Sequence, residues 1–461
     1  MTDSPGLKVL TRSEHSIKDE AIHPDAWKVL RRLHTTGHTA YLVGGTVRDL
    51  YLGRVPKDFD VATTAKPNDI KRLFRNAFMI GRRFRLAHVK FHDSIIEVAT
   101  FRRETDRFEE PEEEGGEMRA VRIYGTPEED ARRRDFTING LFYDPFRSYV
   151  IDYVNGLSDL DRRLVRTISP ADQSYQEDPA RMIRAVRAAA RLGFVVEVST
   201  HEAILRHREL ILQCPRARLL EELLILMKYG SAERSIRLLW QFGLTEFLLP
   251  MHHAYFLRRQ QIAFEPPKPD PLFDLLAMLD LETTAVDPAI IFTLLIFPLL
   301  IEKLEIPMSE FWTYGRATGS LIRASEDMLN EFGKSVDISK RFRARALEIL
   351  TVQFRLNIRA SNVRPEKVAN KPYFADSFRF FQIAARAADV DFKQEISVWE
   401  KFRARPLAAK AASIERSPGG PPQNMRPGAD RRRRRRRRGR RGPGTDLGPV
   451  PQTLPPESPT T

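Results

Sequence analysis

Sulfur is almost missing as a structural tool, since a single cysteine, Cys214, stands among 461 residues. That excludes an intramolecular disulfide and any cysteine-based zinc site, and it fits a reducing, cytoplasmic compartment. No secretory signal is expected, because residues 1–25 are polar and mixed in charge. Long hydrophobic runs are also missing. The longest, Ala289 to Ile301, has 13 residues and holds Thr293 and Pro298. A bilayer span needs ~20 residues, so this run reads as a buried helix and no membrane partner is expected. Neither a Walker A loop nor a G-x-G-x-x-G fingerprint occurs, which removes support from P-loop and Rossmann readings. No Ser/His/Asp or Cys/His nucleophile arrangement can be assembled.

Basic charge is what the chain has in quantity. There are 75 Lys and Arg against 61 Asp and Glu, a net of +14. The excess is uneven: Ser413 to Thr461 holds twelve Arg and four acids, so +8 lies there and +6 in the first 412 residues. Arg431 to Arg438 is an unbroken run, flanked by Pro- and Gly-rich stretches with little to bury. Such a segment is expected to be disordered. It is either a solvated solubility tail or an electrostatic arm for RNA or another polyanion, because adjacent guanidiniums displace condensed counterions from phosphates. The rest, with 42% hydrophobic residues overall, has ample material for a core.

Apolar patterning divides the body. The first third reads as α/β: strands at 39–43 and 59–63, a short helix from Thr46 to Gly53, a helix over 67–77, and a hairpin of 84–91 with 95–101 around His92-Asp93-Ser94. Arg103 to Thr126 is polar and acidic with Gly115-Gly116, and is expected to be a mobile loop. Beyond Leu164 the spacing is helical, with segments at 182–192, 219–227, 235–242, 290–304 and 343–354. A loop is expected at 264–271. Trp240, Trp312, Trp399 and Cys214 read as core residues, and His88 as a strand histidine with a partner.

Chemistry concentrates in three places. The first is Gly44-Gly45-Thr46-Val47-Arg48-Asp49, then Asp58-Phe59-Asp60. A strand, two glycines and a helix place free backbone N–H groups where a phosphate can approach, and Arg48 adds a fork that matches phosphate geometry. Asp58 and Asp60 are two apart, so both carboxylates share the open face of a strand while Phe59 and Val61 point to the core. Paired carboxylates and phosphates together suit Mg²⁺, or Mn²⁺ in its place. A third acid would complete a two-metal clamp. Two candidates stand open on the residues alone: Glu97 in a neighbouring strand, and Asp135 after Arg132-Arg133-Arg134. Three adjacent Arg also call for an anion, which a triphosphate would supply.

The third place is Glu177-Asp178-Pro179-Ala180-Arg181. Asp178 is expected as N-cap with Pro179 at N1. Arg181, Arg184, Arg187 and Arg191 fall within about 120° of one helix face at ~100° per residue. No acid from 181 to 191 offsets them, which points to anion binding. Planar Arg and Asp side chains also suit the edge of a base.

The stretches LVGGTVRDLYLGRVPKDFDV (42–61), RRDFTINGLFYD (133–144) and EDPARMIRAVRAAARLGF (177–194) resemble the class II nucleotidyltransferase superfamily of CCA-adding enzymes and bacterial poly(A) polymerases. Within it, IGRRFRLAHVKF (80–91), the helical segment around 354–402 and the basic tail resemble the poly(A) polymerase branch. The resemblance implies an α+β fold. It would have a flexible N-terminus (1–25), a polymerase-β-like mixed-sheet head (26–163), and a helical neck for nucleotide recognition and RNA binding (164–228). A helical RNA-binding body (229–412) and a disordered Arg-rich tail (413–461) would follow.

It implies metal ligation by Asp58 and Asp60, and Asp135 as the third catalytic acid. Gly44, Gly45, Arg48 and Arg134 would meet a triphosphate. Asp178 and Arg181 would read the base, with Arg184 and Arg187 in support. The implied activity is template-independent transfer of AMP from ATP to RNA 3′ ends with two Mg²⁺ ions. A CCA-adding activity and a non-catalytic RNA-binding role are the alternatives.

Overall fold

The alternating segments of the first third assemble into one eight-stranded mixed sheet. A computed structural model describes residues 6–81, 86–103, 124–262, 270–314, 319–359 and 363–403. The chain divides into residues 1–405 and 406–461, and every described residue lies in the first unit. The expected loop at 103–126, the loop at 264–271 and the tail fall largely or wholly outside the described residues.

The strands are β1 (Lys8–Leu10), β2 (Ala40–Val43), β3 (Phe59–Thr63), β4 (Ala77–Ile80), β5 (Leu86–Lys90), β6 (Ile95–Thr100), β7 (Leu141–Asp144) and β8 (Tyr149–Asp152). Their spatial order is β1-β8-β7-β2-β3-β6-β5-β4. β3 and β6 run parallel, and the other neighbours pair antiparallel. The parallel pair sets Asp60 directly opposite Glu97, and β5 then sets His88 opposite Glu97.

Two expectations are corrected. Residues 1–25 were expected to be flexible, yet Lys8–Leu10 pairs with β8, and Ile17 and Ile22 are buried. The strand is only three residues long, so it carries no alternation signal. The helix expected over 67–77 ends at Leu73, and Ala77 opens β4 instead. Phe74 leaves the helical region at φ −122°, ψ 105° and is buried against the sheet.

One face of the sheet packs on the helix Pro24–Thr35 through Phe59, Val61, Ala87, Val89, Ile96 and Val98, all in the main core. Burying each larger side chain stabilises the fold by about 1.5–3 kcal/mol. On the other face a smaller cluster of Val43, Ala62, Phe101, Ala131 and Phe142 covers only the central strands. Among the described residues beyond 156, the regular elements are helices apart from a short parallel pairing of Leu164–Val165 with Val195–Val196. The apolar run 289–301 lies inside the helix Pro288–Lys303 and is buried throughout. Trp312 and Trp399 are fully buried, Trp240 is partly buried, and Cys214 is buried. No described helix is long and apolar enough to cross a membrane.

Candidate active site

The loop between β2 and the helix Gly45–Tyr51 turns on Gly44, whose φ of +67° with ψ of −133° is accessible to glycine and strained for other residues. A Cβ there would lie 2.8 Å from Arg134 Nη1. The glycine thus lets a guanidinium lie against the backbone. The Gly44 N–H itself is engaged, donating to the Leu141 carbonyl at 3.1 Å. At Gly45 a Cβ would meet only the Arg48 guanidinium, at 3.4 Å or more.

Thr46 ties this helix to the aspartates. Its hydroxyl donates to the Asp58 carbonyl at 3.1 Å and accepts from the Asp60 N–H at 3.1 Å. Phe59 and Val61 enter the core, while Asp58 is exposed and Asp60 is half-buried. Burial and the neighbouring charge of Glu97 push the Asp60 carboxyl up to about 6; Arg134 opposes this and Asp58 adds to it. Asp58, Asp60 and Glu97 therefore form one electrostatic group beside Arg134. Glu97 is also 3.3 Å from His88 Nε2. A cavity of about 760 Å³ adjoins the group, lined in part by Lys57, Asp58, Lys90, Phe91 and Ile95.

Asp135 lies in a second group. Its Oδ1 accepts from the Phe136 N–H at 2.9 Å and the Asn139 amide at 3.1 Å, and its Oδ2 is 3.4 Å from Arg184 Nε. It is not among the charges that perturb Asp60, whereas Glu97 is the largest of them. Asn139 links the two groups, accepting from Arg48 Nη1 at 2.7 Å. Arg48 is only 7% exposed and is clamped by Asp49 at 2.7 Å. It braces the loop instead of presenting an open fork to a phosphate.

The arginine clusters find their anions inside the chain, which corrects two expectations. Arg132 pairs with Glu128 at 2.9 Å, and Arg133 and Arg134 share the buried Asp130. The burial of Asp130 would push its carboxyl up, but these two guanidiniums outweigh that and hold it below the usual range. A triphosphate is therefore not needed to explain the triple Arg. On the helix Ala180–Leu192, Arg181 pairs with Glu177 at 3.2 Å and Arg184 with Asp178 at 3.2 Å. Arg187 pairs with Glu222 at 2.7 Å, and Arg191 with Asp49 at 2.8 Å. Every acid involved lies outside 181–191: Glu177 and Asp178 just before the helix, Glu222 and Asp49 35 and 142 positions from their partners. Arg181 Nε is buried without a hydrogen-bond partner.

Asp178 ends the preceding helix, Ala171–Glu177, and Pro179 occupies the N-cap position, one residue from the expectation. The Asp178 side chain still accepts from the Ala180 N–H at 3.2 Å. Its other oxygen accepts from Arg218 at 2.7 Å. Burial would raise this carboxyl, but the hydrogen bond from Arg218 and the charges of Arg184, Arg218 and Arg181 hold it below its ordinary value. Arg218 and Glu222 both come from the helix Arg216–Leu226. With Thr46, Asn139, Asp49 and Asp130, they are site residues that motif reading passed over. Their i, i+4 spacing is the one local sign of the two-point contact.

A divalent cation fits the first group. A half-buried carboxylate whose pKa is raised by burial and by two neighbouring acids favours a cation beside it, and Mg²⁺ takes hard oxygens from few carboxylates plus substrate phosphates. Among the described residues no cluster of three or more His, Cys, Asp or Glu forms a metal cage by itself.

Three family models match the chain: the poly A polymerase head domain over residues 40–166, a probable RNA and SrmB-binding site of polymerase A over 193–256, and the polymerase A arginine-rich C-terminus over 316–441. The chain is 37% identical to poly(A) polymerase I of Salmonella typhimurium over 401 residues, covering 86% of this chain and 85% of that one. It is 30% identical to the CCA-adding enzyme of Bacillus subtilis, covering 76% and 82%. Its fold is similar to that of the Bacillus stearothermophilus CCA-adding enzyme crystallised with CTP, with TM-score 0.51, 23% identity, and coverage of 87% of this chain and 90% of that one.

Proposed function

The chain belongs to the bacterial poly(A) polymerase family of nucleotidyltransferases, and from that membership we propose that it adds AMP from ATP to RNA 3′ ends without a template. The observation that carries this reading is the acidic group of Asp58, Asp60 and Glu97 beside Gly44 and Arg134. In the reaction the RNA 3′ oxygen forms a bond to the α-phosphorus. The bond from that phosphorus to the bridging oxygen breaks, pyrophosphate leaves, and the hydroxyl proton is released. Divalent cations, Mg²⁺ or Mn²⁺, would be held by Asp58 and Asp60 and supply charge neutralisation and a lowered hydroxyl pKa.

The side chains position the reactants. Glu97 is the better-supported third acid, because it stands opposite Asp60 in register, whereas Asp135 faces Arg184. Asp135 then acts on the nucleotide side, holding Asn139 and Arg184. Arg134, against the glycine turn, is a cation whose charge is felt at Asp60 and suits the triphosphate. Asp178 and Arg181 suit the base edge, with Arg184 and Arg187 fixing their orientation. Positioning and charge neutralisation supply most of the rate in such transfers. The cellular consequence of tailing would be promotion of RNA decay.

The test is incubation of the protein with Mg²⁺, a generic RNA and one nucleoside triphosphate at a time. Long tails with ATP alone are the expected result. Two C and one A on truncated tRNA, followed by a stop, would establish the CCA-adding alternative. Unchanged activity on combining Asp58→Ala with Asp60→Ala would overturn both enzyme readings in favour of an RNA-binding role.

A further inference from the structure

The active face of the sheet does not end at the carboxylates. Residues directly opposite across paired strands point to the same face. Asp60 stands opposite Glu97, Glu97 opposite His88, and His88 opposite Phe78, so one row crosses β3, β6, β5 and β4. The flanking positions extend that face: Ile95 opposite Lys90, and Leu86 opposite Ile80.

The exposure along this face is unusual. Phe78 is 61% exposed, Ile80 48% and Ile95 50%. Lys90 is also exposed, while Ala87, Val89, Ile96 and Val98, which point the other way, are buried. Apolar side chains, a lysine and a histidine thus lie in an open row that leads to the acids. Three strand spacings of ~4.8 Å put Phe78 about 14 Å from Asp60. Across β2, on the other side of Asp60, lie Gly44, Arg134 and Asn139. The two sides of the carboxylates therefore differ in chemistry: guanidinium and backbone on one, exposed ring and aliphatic surface on the other.

We propose that the outer strands β4 and β5 hold the RNA strand just upstream of its reacting 3′ end, with a base stacked on Phe78 and the backbone beside Lys90. This rests on the polymerase reading above and adds the location of the acceptor strand. A platform with an aromatic ring and a cation binds single strands without sequence preference, because every base has a π-face. That suits an enzyme acting on varied RNA ends. His88 separates the platform from Glu97 and, at 3.3 Å from it, steadies that carboxylate against the incoming strand.

The test is steady-state extension kinetics with RNA and ATP varied separately. Phe78→Ala is expected to raise KM for RNA about tenfold while KM for ATP stays at the wild-type value. Phe78→Trp is expected to restore RNA affinity. A 5-iodouridine placed near the RNA 3′ end is expected to crosslink to β4 or β5. Wild-type KM for RNA in Phe78→Ala, with the unaltered protein active, would overturn this inference alone. So would an equal rise in both KM values. Loss of self-association in Phe78→Ala without a change in RNA affinity would instead assign the face to contacts between copies of the chain. An unaltered protein that extends no RNA with ATP would overturn the polymerase reading and this inference with it.

Discussion

Gly44 occupies backbone space that a side chain enters only with strain, and Arg134 fills the place its Cβ would take. Gly44→Ala is therefore expected to cost about 1–3 kcal/mol of stability and to lower RNA extension at least roughly tenfold, as calorimetry and a primer-extension assay would read. Asp60 makes a contrasting case. Its folded-state pKa of about 6 lies above the 3.8 of a free aspartate, so the native state loses stability as pH rises from about 4 to about 6. Above that range the full penalty applies. Asp60→Asn removes it, and the metal-free variant is expected to be more stable at pH 8 by up to about 3 kcal/mol, with no gain at pH 4 and no extension activity. Equal melting temperatures at pH 8 would count against this.

At the scale of elements, the helix Arg216–Leu226 acts on the arginine helix Ala180–Leu192 through two contacts of opposite polarity, Arg218 with Asp178 and Glu222 with Arg187. Arg218→Ala is expected to leave Asp178 Oδ2 held by Arg184 alone, to cost about 1 kcal/mol as a partly exposed pair, and to raise KM for ATP while leaving KM for RNA unchanged. The legibility of the site follows the same division between local and distant signals. The glycine turn and the Asp58–Asp60 pair could be read because loop chemistry and strand alternation are local. The Asp60–Glu97 register depends on a parallel pairing across 37 positions, and spacing alone left Glu97 and Asp135 open. The charge on the arginine helix was misjudged in part because Asp49 lies 142 positions from Arg191 and Glu222 35 from Arg187; the adjacent Glu177 and Asp178 read as a helix start and not as counterions. Strand β4 was lost because its outward side chains are apolar, which hides the alternation.

Over the whole molecule, the change from mixed to helical spacing near residue 164 made the sheet-bearing head and helical remainder legible, and the described residues of both lie within one unit that excludes residues 406–461. The arginine-rich segment belongs to the part matched by the C-terminal family model. Removing residues 413–461 is expected to weaken RNA binding and flatten its dependence on salt without changing ATP affinity; identical slopes with and without the segment, in a titration from low to high salt, would count against it. Nucleotide binding has another electrostatic character. Each guanidinium of the arginine helix already holds a carboxylate of the same chain, so the native fold carries its own counterions in fixed positions. If Arg181 reads the base edge as proposed, it does so while Glu177 holds it at 3.2 Å. On the proposed reading, a nucleotide that reaches this helix trades partners with the chain's own carboxylates, and binding there adds no new net charge pair.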